Sequence, residues 1–134
     1  MSDDKTTIIK SDTDIFKKMI EAAGCIELFH RGKEYRYKRD QLPITIGRDA
    51  LLCDIQCSST MTSRSHCKID VQDNQIGISD TSTNGTYIKI GRSDSILIKN
   101  SFYPLTSQGH ISLGEPIDLG SPEILHFRIC SESK

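Results

Sequence analysis

Residues 66–90 read HCKIDVQDNQIGISDTSTNGTYIKI. Apolar side chains alternate with polar ones in three short runs: Cys67, Ile69 and Val71; Ile76 and Ile78; Ile88 and Ile90. A period of two residues indicates β-strands that bury one face. Turn-forming pairs, Asp73–Asn74 and Asn84–Gly85, separate the runs, and Asn-Gly between alternating runs is a hairpin signal. The stretch therefore predicts three consecutive strands.

The same alternation continues on both sides of this stretch, from just after Gly24 almost to the C-terminus. Its further members are Ile44 and Ile46, Ile96 and Ile98, Ile111 and Leu113, Ile117 and Leu119, and Leu125, Phe127 and Ile129. Short strands at intervals of about 8–12 residues, separated by turn signals, are typical of an all-β sandwich or barrel. With 134 residues, one domain with a single core is expected.

The two ends of the chain differ from this pattern. Residues 1–11 and 131–134 are polar, and we expect frayed or disordered tails. Residues 12–24 predict one accessory helix, with Asp12 or Thr13 as its cap and Gly24 as its C-terminal stop. Its apolar face comprises Ile15, Phe16, Met19, Ile20 and Ala23. The helix either packs on its own domain or docks a partner or a second copy.

Composition restricts the possible functions. The formal net charge is −1, so no global basic field exists and any anion must be bound by a few placed cations. No apolar run approaches the about 20 residues of a membrane span, and the N-terminus does not resemble a signal peptide. We expect an intracellular protein, nuclear or cytoplasmic.

The cysteines are odd in number and form no Cys-x-x-Cys pair, which predicts reduced thiols. The five are Cys25, Cys53, Cys57, Cys67 and Cys130. A zinc site formed by Cys53, Cys57 and Cys67 with His66 is conceivable. It is disfavoured because the adjacent His66 and Cys67 would point to opposite faces of a strand. We therefore predict no metal site and no cofactor.

Three polar segments lie at strand ends or in turns. They are Ile46–Arg48, Ser63–His66 and Asp80–Thr86. Each alone is ordinary: a surface arginine, a polar loop and a tight turn. Together, in this order and spacing, they resemble the forkhead-associated (FHA) family, whose pattern is Gly-Arg, then Ser-x-x-His, then Asp-x-x-Ser/Thr-Asn-Gly-Thr.

The resemblance covers residues 25–130. It includes Cys53-Asp54-Ile55 and the closing Leu105, Gly109-His110-Ile111 and Gly114, although His110 replaces the family's usual aspartate. It implies an FHA-type β-sandwich of two mostly antiparallel sheets that binds phosphothreonine in partner proteins. It also implies a signalling or complex-assembly role, often in the nucleus.

A phosphothreonine carries about −1.5 to −2 charges and three acceptor oxygens, so its site needs a fixed cation and several donors. Arg48 suits the first role, because its planar fork can donate two parallel hydrogen bonds. Ser63, Arg64 and Thr83 would supply further donors to the phosphate. By resemblance, Asn84 would bind the main chain of the peptide.

Four residues are expected to organise the site behind its surface: Gly47, His66, Asp80 and Gly85. Gly47 would permit an unusual backbone turn and Gly85 a positive φ. His66 could be a general base, but no partner nucleophile stands at a recognisable spacing, so we predict no enzyme. Met61 occupies a position at which some family members use arginine to select an acidic residue; an apolar preference follows.

Two other functions compete with this hypothesis. Residues 31–39, RGKEYRYKR, interleave basic residues with Tyr35 and Tyr37 as single-strand nucleic acid binders can. The simpler interpretation is a strand with its tyrosines towards the core and Lys and Arg in water. The second competitor is a phosphorylation-independent scaffold or dimerisation module that uses the N-terminal helix or a sheet face.

Overall fold

The computed structural model describes residues 23–131 and shows an all-β chain of eleven strands within that range. The strands are β1 (Ala23–His30), β2 (Lys33–Lys38), β3 (Ile44–Gly47), β4 (Ile55–Gln56), β5 (Cys67–Gln72), β6 (Gln75–Asp80), β7 (Thr86–Ile90), β8 (Ile96–Ile98), β9 (Phe102–Pro104), β10 (Gln108–Leu113) and β11 (Leu125–Ser131). A 3₁₀ turn, Arg39–Gln41, follows β2. No helix in these residues is long and apolar enough to cross a membrane.

The strands form two sheets. The six-stranded sheet has the order β2-β1-β11-β10-β7-β8, and the five-stranded sheet has the order β4-β3-β5-β6-β9. Only β3 and β4 pair in parallel; every other pair is antiparallel. The predicted sandwich of two mostly antiparallel sheets is confirmed. Its core lies between the inward faces, as alternating side chains require.

The core consists largely of the alternating residues that the sequence singled out. Its fully buried members include Ile46, Ile69, Ile78, Ile88, Ile111, Leu125 and Phe127, joined by Ile26 and Leu28 of β1. Ile117 and Leu119 are the exception, because they lie in the loop between β10 and β11 and Leu119 is exposed. The amide of Gly120 donates to Asp118 Oδ1 (3.0 Å) in a local turn that replaces a strand ladder.

The N-terminal prediction needs one correction. Ala23 and Gly24, which were assigned to the end of a helix, lie in β1, where Ala23 is opposite Ser131 of β11. Pairing with the terminal strand overrides the stop signal of a glycine after an apolar segment. The rest of the predicted helix, residues 12–22, lies outside the described residues.

Segment 31–39 forms the turn after β1, the edge strand β2 and the start of the 3₁₀ turn. Tyr35 and Tyr37 pack against the core. Arg36 Nη1 donates to Glu27 Oε2 (2.5 Å), and Arg128 of β11 donates to Glu27 Oε1 from the other side. The interpretation of this segment as a strand with inward tyrosines is confirmed.

The cysteine prediction is wrong for one pair. Cys25 and Cys130 face each other across β1 and β11 and form a disulfide, with their Cα atoms 5.1 Å apart. An odd number of cysteines means that at least one stays unpaired within the chain, but it does not exclude a disulfide between two others. Only the strand register shows which cysteines meet. Cys53, Cys57 and Cys67 are free. Disulfides are rare in reducing compartments, so the bonded pair weakens the argument for such a compartment.

We expect this disulfide to contribute about 2–4 kcal/mol to the free energy of unfolding, because it joins the first and last strands of the fold. In urea denaturation without reductant, Cys130→Ser should lose that amount. Cys53→Ser, which changes a free thiol, should lose less than about 1 kcal/mol. With reductant, the unmodified chain should fall to the level of Cys130→Ser. A difference that persists in full under reductant would contradict a contribution from the covalent bond.

Candidate phosphate site at the sandwich end

The loop between β4 and β5 lies at the centre of the candidate site. The first polar segment is bound to it by backbone hydrogen bonds, since the amide of Arg48 donates to Ser63 O (3.0 Å) and the amide of Asp49 to Arg64 O (3.1 Å). The Arg48 side chain also contributes, because its Nε donates to Thr62 O (3.0 Å). The first two predicted segments therefore form one rigid unit.

Gly47 is required here for space rather than for an unusual turn. It lies at the end of β3, is buried, and is not among the described residues with positive φ. A Cβ atom at this position would stand 2.4 Å from Arg64 O and 2.9 Å from Cys53 Sγ. The expectation of an unusual backbone turn is thus wrong. Glycine is needed because the two loops approach so closely.

His66 joins the central loop to the third segment. Its Nδ1 accepts a hydrogen bond from the amide of Ser63 (2.9 Å), and its Nε2 donates to Gly85 O (2.8 Å). A neutral imidazole with the proton on Nε2 satisfies both contacts. The ring is fully buried, and burial lowers the pKa of His66 although Gly85 and Asp80 act in the opposite direction. With both nitrogens occupied, His66 has a structural role and offers no free base or metal ligand.

Asp80 organises the third segment from beneath. Its carboxylate accepts hydrogen bonds from the hydroxyls of Ser82 (2.6 Å) and Thr86 (2.7 Å) and from the amides of Asn100 (2.9 Å) and Ser82 (3.2 Å). Burial alone would raise the pKa of Asp80, but these donors outweigh it and hold the pKa below 3.8. The group is therefore a buried anion that holds the loop.

The third segment meets the central loop directly. The amide of Thr83 donates to Ser63 Oγ (3.1 Å), and Asn84 Nδ2 donates to Met61 O (3.0 Å). Gly85 adopts φ +86°, as predicted, and its amide donates to Ser82 Oγ (2.8 Å). The sheets therefore bring all three predicted segments to one patch.

Exposure divides the predicted site residues into two groups. Gly47, His66, Asp80 and Gly85 are buried, Ser63 is half-buried, and Arg48, Arg64, Thr83 and Asn84 are exposed. Because Ser63 Oγ accepts the bond from Thr83, its own proton remains available to a ligand. Within residues 23–131, the terminal amino groups of Arg48 and the side chain of Arg64 have no hydrogen-bond partner. Such an array of outward donors suits an anion with several acceptor oxygens.

Exposed apolar side chains lie beside the donors in space or follow them in sequence, and sequence reasoning found only one of them. Met61 is 43 % exposed, and Leu97 of β8, which lies against Gly85, is 51 % exposed. Leu51 and Leu52 follow the first segment and are also exposed. An apolar pair in a polar loop was a visible signal for these two leucines. Leu97 could not be found, because it reaches the patch through the β7–β8 pairing.

Possible metal ligands gather elsewhere. Among the described residues, the one cluster of such side chains is His30, Cys57 and Glu123. The alternative that combined Cys53, Cys57 and Cys67 with His66 does not form, since both His66 nitrogens are bound within the protein.

Comparison with known proteins agrees with this geometry. The profile of the FHA domain family matches residues 44–114, which include all three segments. No curated protein sequence matches the chain. Among solved structures, Mycobacterium tuberculosis Rv1747 FHA-1 superposes with a TM-score of 0.58 at 18% identity, over 80% of this chain and 97% of that one.

Two further structures show the same fold. The N-terminal FHA domain of S. cerevisiae Rad53p, solved in complex with a phosphothreonine peptide, gives a TM-score of 0.54 at 21% identity, over 81% of this chain and 94% of that one. The FHA domain of Chlamydia trachomatis CT664 gives 0.55 at 22% identity, over 81% and 99% of the two chains. At these identities the comparison establishes the fold.

The Asp80 network generates a stability prediction. We expect Asp80→Asn to lower the free energy of unfolding by about 2–4 kcal/mol at pH 7, because an amide places donors where hydroxyls and amides already donate. Urea denaturation measures the loss. Asp73→Asn, in an exposed turn, is the matched control and should change stability by no more than about 0.5 kcal/mol.

The difference in the free energy of unfolding between the unmodified chain and Asp80→Asn should become smaller in acid. A folded pKa below the ordinary 3.8 means that the carboxylate's stabilisation is complete above that pH and is lost as the pH falls through the lowered pKa. The unmodified chain should then approach Asp80→Asn in stability. A constant difference down to pH 2 would show that Asp80 does not act through its charge.

Proposed function

This chain belongs to the FHA domain family, and from that premise we propose that it binds phosphothreonine-containing segments of partner proteins. Members of the family are interaction modules, and we also propose that this chain catalyses no reaction. The observation that carries the proposal is that the three segments meet at Ser63. The Ser63 hydroxyl accepts a hydrogen bond from the Thr83 amide, and the Ser63 carbonyl accepts one from the amide of the exposed Arg48. From the family resemblance we propose the nucleus or the cytoplasm as the place of action; the Cys25–Cys130 disulfide counts against this part of the proposal.

The proposed roles follow from exposure and hydrogen-bonding capacity. Arg48 would direct its free amino groups to two phosphate oxygens, and Ser63 would donate its hydroxyl to a third. Arg64 and the hydroxyl of Thr83 lie exposed beside them and would complete the neutralisation of the dianion. Asn84 already donates to Met61 O, so its remaining amide atoms would hold the peptide main chain.

Apolar neighbours support selectivity beyond the phosphate. Met61 and Leu97 flank Asn84 and Gly85, and both are large, partly exposed side chains. We propose that this patch favours an apolar residue after the phosphothreonine over an acidic one. A methyl group on the phosphorylated residue would also gain contacts there, which favours threonine over serine.

The test is capture from a degenerate phosphothreonine peptide library, with phosphoserine and unphosphorylated threonine peptides as controls. We expect capture that depends on phosphothreonine, enrichment of apolar residues after it, and dissociation constants near ~1 μM, or about −8 kcal/mol. No capture of any phosphopeptide by the folded chain would refute the proposal.

The sharpest single variant is Arg48→Ala. Two charge-assisted hydrogen bonds of about 1.5–3 kcal/mol each predict at least a 100-fold loss of affinity for the selected peptide, measured by isothermal titration calorimetry. Arg92→Ala removes an exposed arginine from the β7–β8 turn, at the far end of β7 from the site, and should bind like the unmodified chain. Equal affinity in folded Arg48→Ala would reject the assigned phosphate site.

A further inference from the structure

Three side chains of different segments meet outside the site described above. His30 ends β1, Cys57 follows β4, and Glu123 lies in the loop before β11. One possible ligand atom of each lies within 4.8 Å of those of the other two. His30 and Cys57 are buried, at 4 % and 1 % exposure, and Glu123 is partly exposed to solvent. The cluster therefore has a closed inner side and one open edge.

The contacts converge on a single atom. His30 Nε2 lies 3.1 Å from Glu123 Oε1 and 3.6 Å from Cys57 Sγ. A proton relay would need the thiol and the carboxylate at opposite nitrogens of the ring. A neutral imidazole nitrogen carries either one proton or one lone pair, so it cannot serve both neighbours well by hydrogen bonding. Three ligand atoms within 4.8 Å of one another are close enough to share one cation.

Two of the three separations between the ligand atoms fit tetrahedral coordination. Bonds of about 2.0–2.1 Å to nitrogen and about 2.3 Å to sulfur place these two ligands about 3.6 Å apart, and two lighter ligands about 3.3 Å apart. The observed nitrogen–sulfur and nitrogen–oxygen distances are close to these values. The third pair, Cys57 Sγ and Glu123 Oε1, lies within 4.8 Å, so a shift of these two side chains by about 1 Å or less would complete the geometry.

Surrounding contacts hold two of the ligands in place. Glu123 Oε1 accepts a hydrogen bond from the amide of Ser58 (3.0 Å), and Oε2 accepts one from Arg31 Nη1 (2.6 Å). Burial acts to raise the pKa of Glu123, but Ser58, His30 and Arg31 outweigh it and lower the pKa, so the group is an anion. The amide of Cys57 donates to Gly47 O (2.8 Å), which fixes the backbone that carries the thiol. Such outer contacts orient metal ligands.

We propose that His30 Nε2, Cys57 Sγ and Glu123 Oε1 bind one zinc ion, with water in the fourth position at the open edge. On binding, the thiol proton leaves to solvent, the neutral His30 ring carries its proton on Nδ1 so that Nε2 can ligate, and the thiolate and the carboxylate together balance the charge of Zn²⁺. A thiolate with an imidazole selects zinc over magnesium or calcium, which prefer oxygen ligands. The ion would link the end of β1 to the loops after β4 and before β11. Through Cys57 and Gly47 it would brace the loop of Arg48.

Calorimetric titration of the full chain, freed of metal and handled without oxygen or reductant so that Cys57 stays a thiol and the Cys25–Cys130 disulfide stays intact, tests the proposal. We expect one zinc ion per chain and a rise in the unfolding temperature on addition of zinc. His30→Gln, Cys57→Ser and Glu123→Gln should each weaken zinc binding by at least about 100-fold, since even loss of an outer contact costs 10–100-fold. The matched controls are His126→Gln, Cys53→Ser and Glu115→Gln, which change the same residue types outside the cluster and should bind as the unmodified chain does.

Cobalt(II) gives an independent readout that needs no variant. Bound to the unmodified chain, it should show the intense visible bands of tetrahedral coordination and a thiolate-to-cobalt charge-transfer band in the near ultraviolet. Cys57→Ser should lose the charge-transfer band, while Cys53→Ser should keep it. Absence of that band in the folded unmodified chain would overturn the proposal, even if a cluster variant failed to fold. Zinc binding weakened equally by cluster and control variants would overturn it too.

Discussion

The His66 imidazole holds the candidate site together, because it bonds at once to the backbone of two loops. Its Nδ1 accepts from the Ser63 amide and its Nε2 donates to the Gly85 carbonyl. Without the ring, the Ser63 amide would lose its hydrogen-bond partner, at a cost of about 1–3 kcal/mol, and the Gly85 carbonyl would keep only the bond from the Gly114 amide. The ring can do this only while neutral, and its complete burial favours that state. The bridge ties the loop of Ser63 and Arg64 to the loop of Thr83 and Asn84, so it helps to position the exposed donors of both.

The polar groups around His66 are of two kinds: some bond inward to the protein, and others face solvent. The Asp80 carboxylate accepts hydrogen bonds from Ser82, Thr86 and Asn100 inside the protein, and it remains charged because those donors surround it. Arg48 uses only Nε on the protein, at Thr62 O, and leaves its amino groups to solvent. Loops ordered in advance by the inward contacts lose little conformational entropy on binding. The outward donors can then contribute most of their hydrogen-bond energy to affinity.

The cysteines show how far long-range register decides chemistry. Cys25 and Cys130 stand at opposite ends of the described chain, yet β1 and β11 are neighbours and bring them together. Cys57 meets His30 and Glu123 for a similar reason: the end of β1 and the loop before β11 both lie beside the loop after β4. Neither the number nor the spacing of the cysteines predicts the disulfide or the cluster of Cys57 with His30 and Glu123. The usual motif rules assume ligands that are close in sequence.

The sequence by itself predicted most of the strands and the three segments that meet in the candidate site. Alternation is a local property of an extended chain, so runs such as Cys67–Val71 and Ile76–Ile78 could be assigned without any partner. The order of Gly47-Arg48, Ser63–His66 and Asp80–Thr86 was equally visible. Only the tertiary structure decided that Gly47 is needed for a close approach to Arg64 O, that Leu97 borders the patch, and that Gly24 belongs to a strand. Each of these depends on which strands and loops become neighbours, and contacts between distant segments leave no periodic trace in a single sequence.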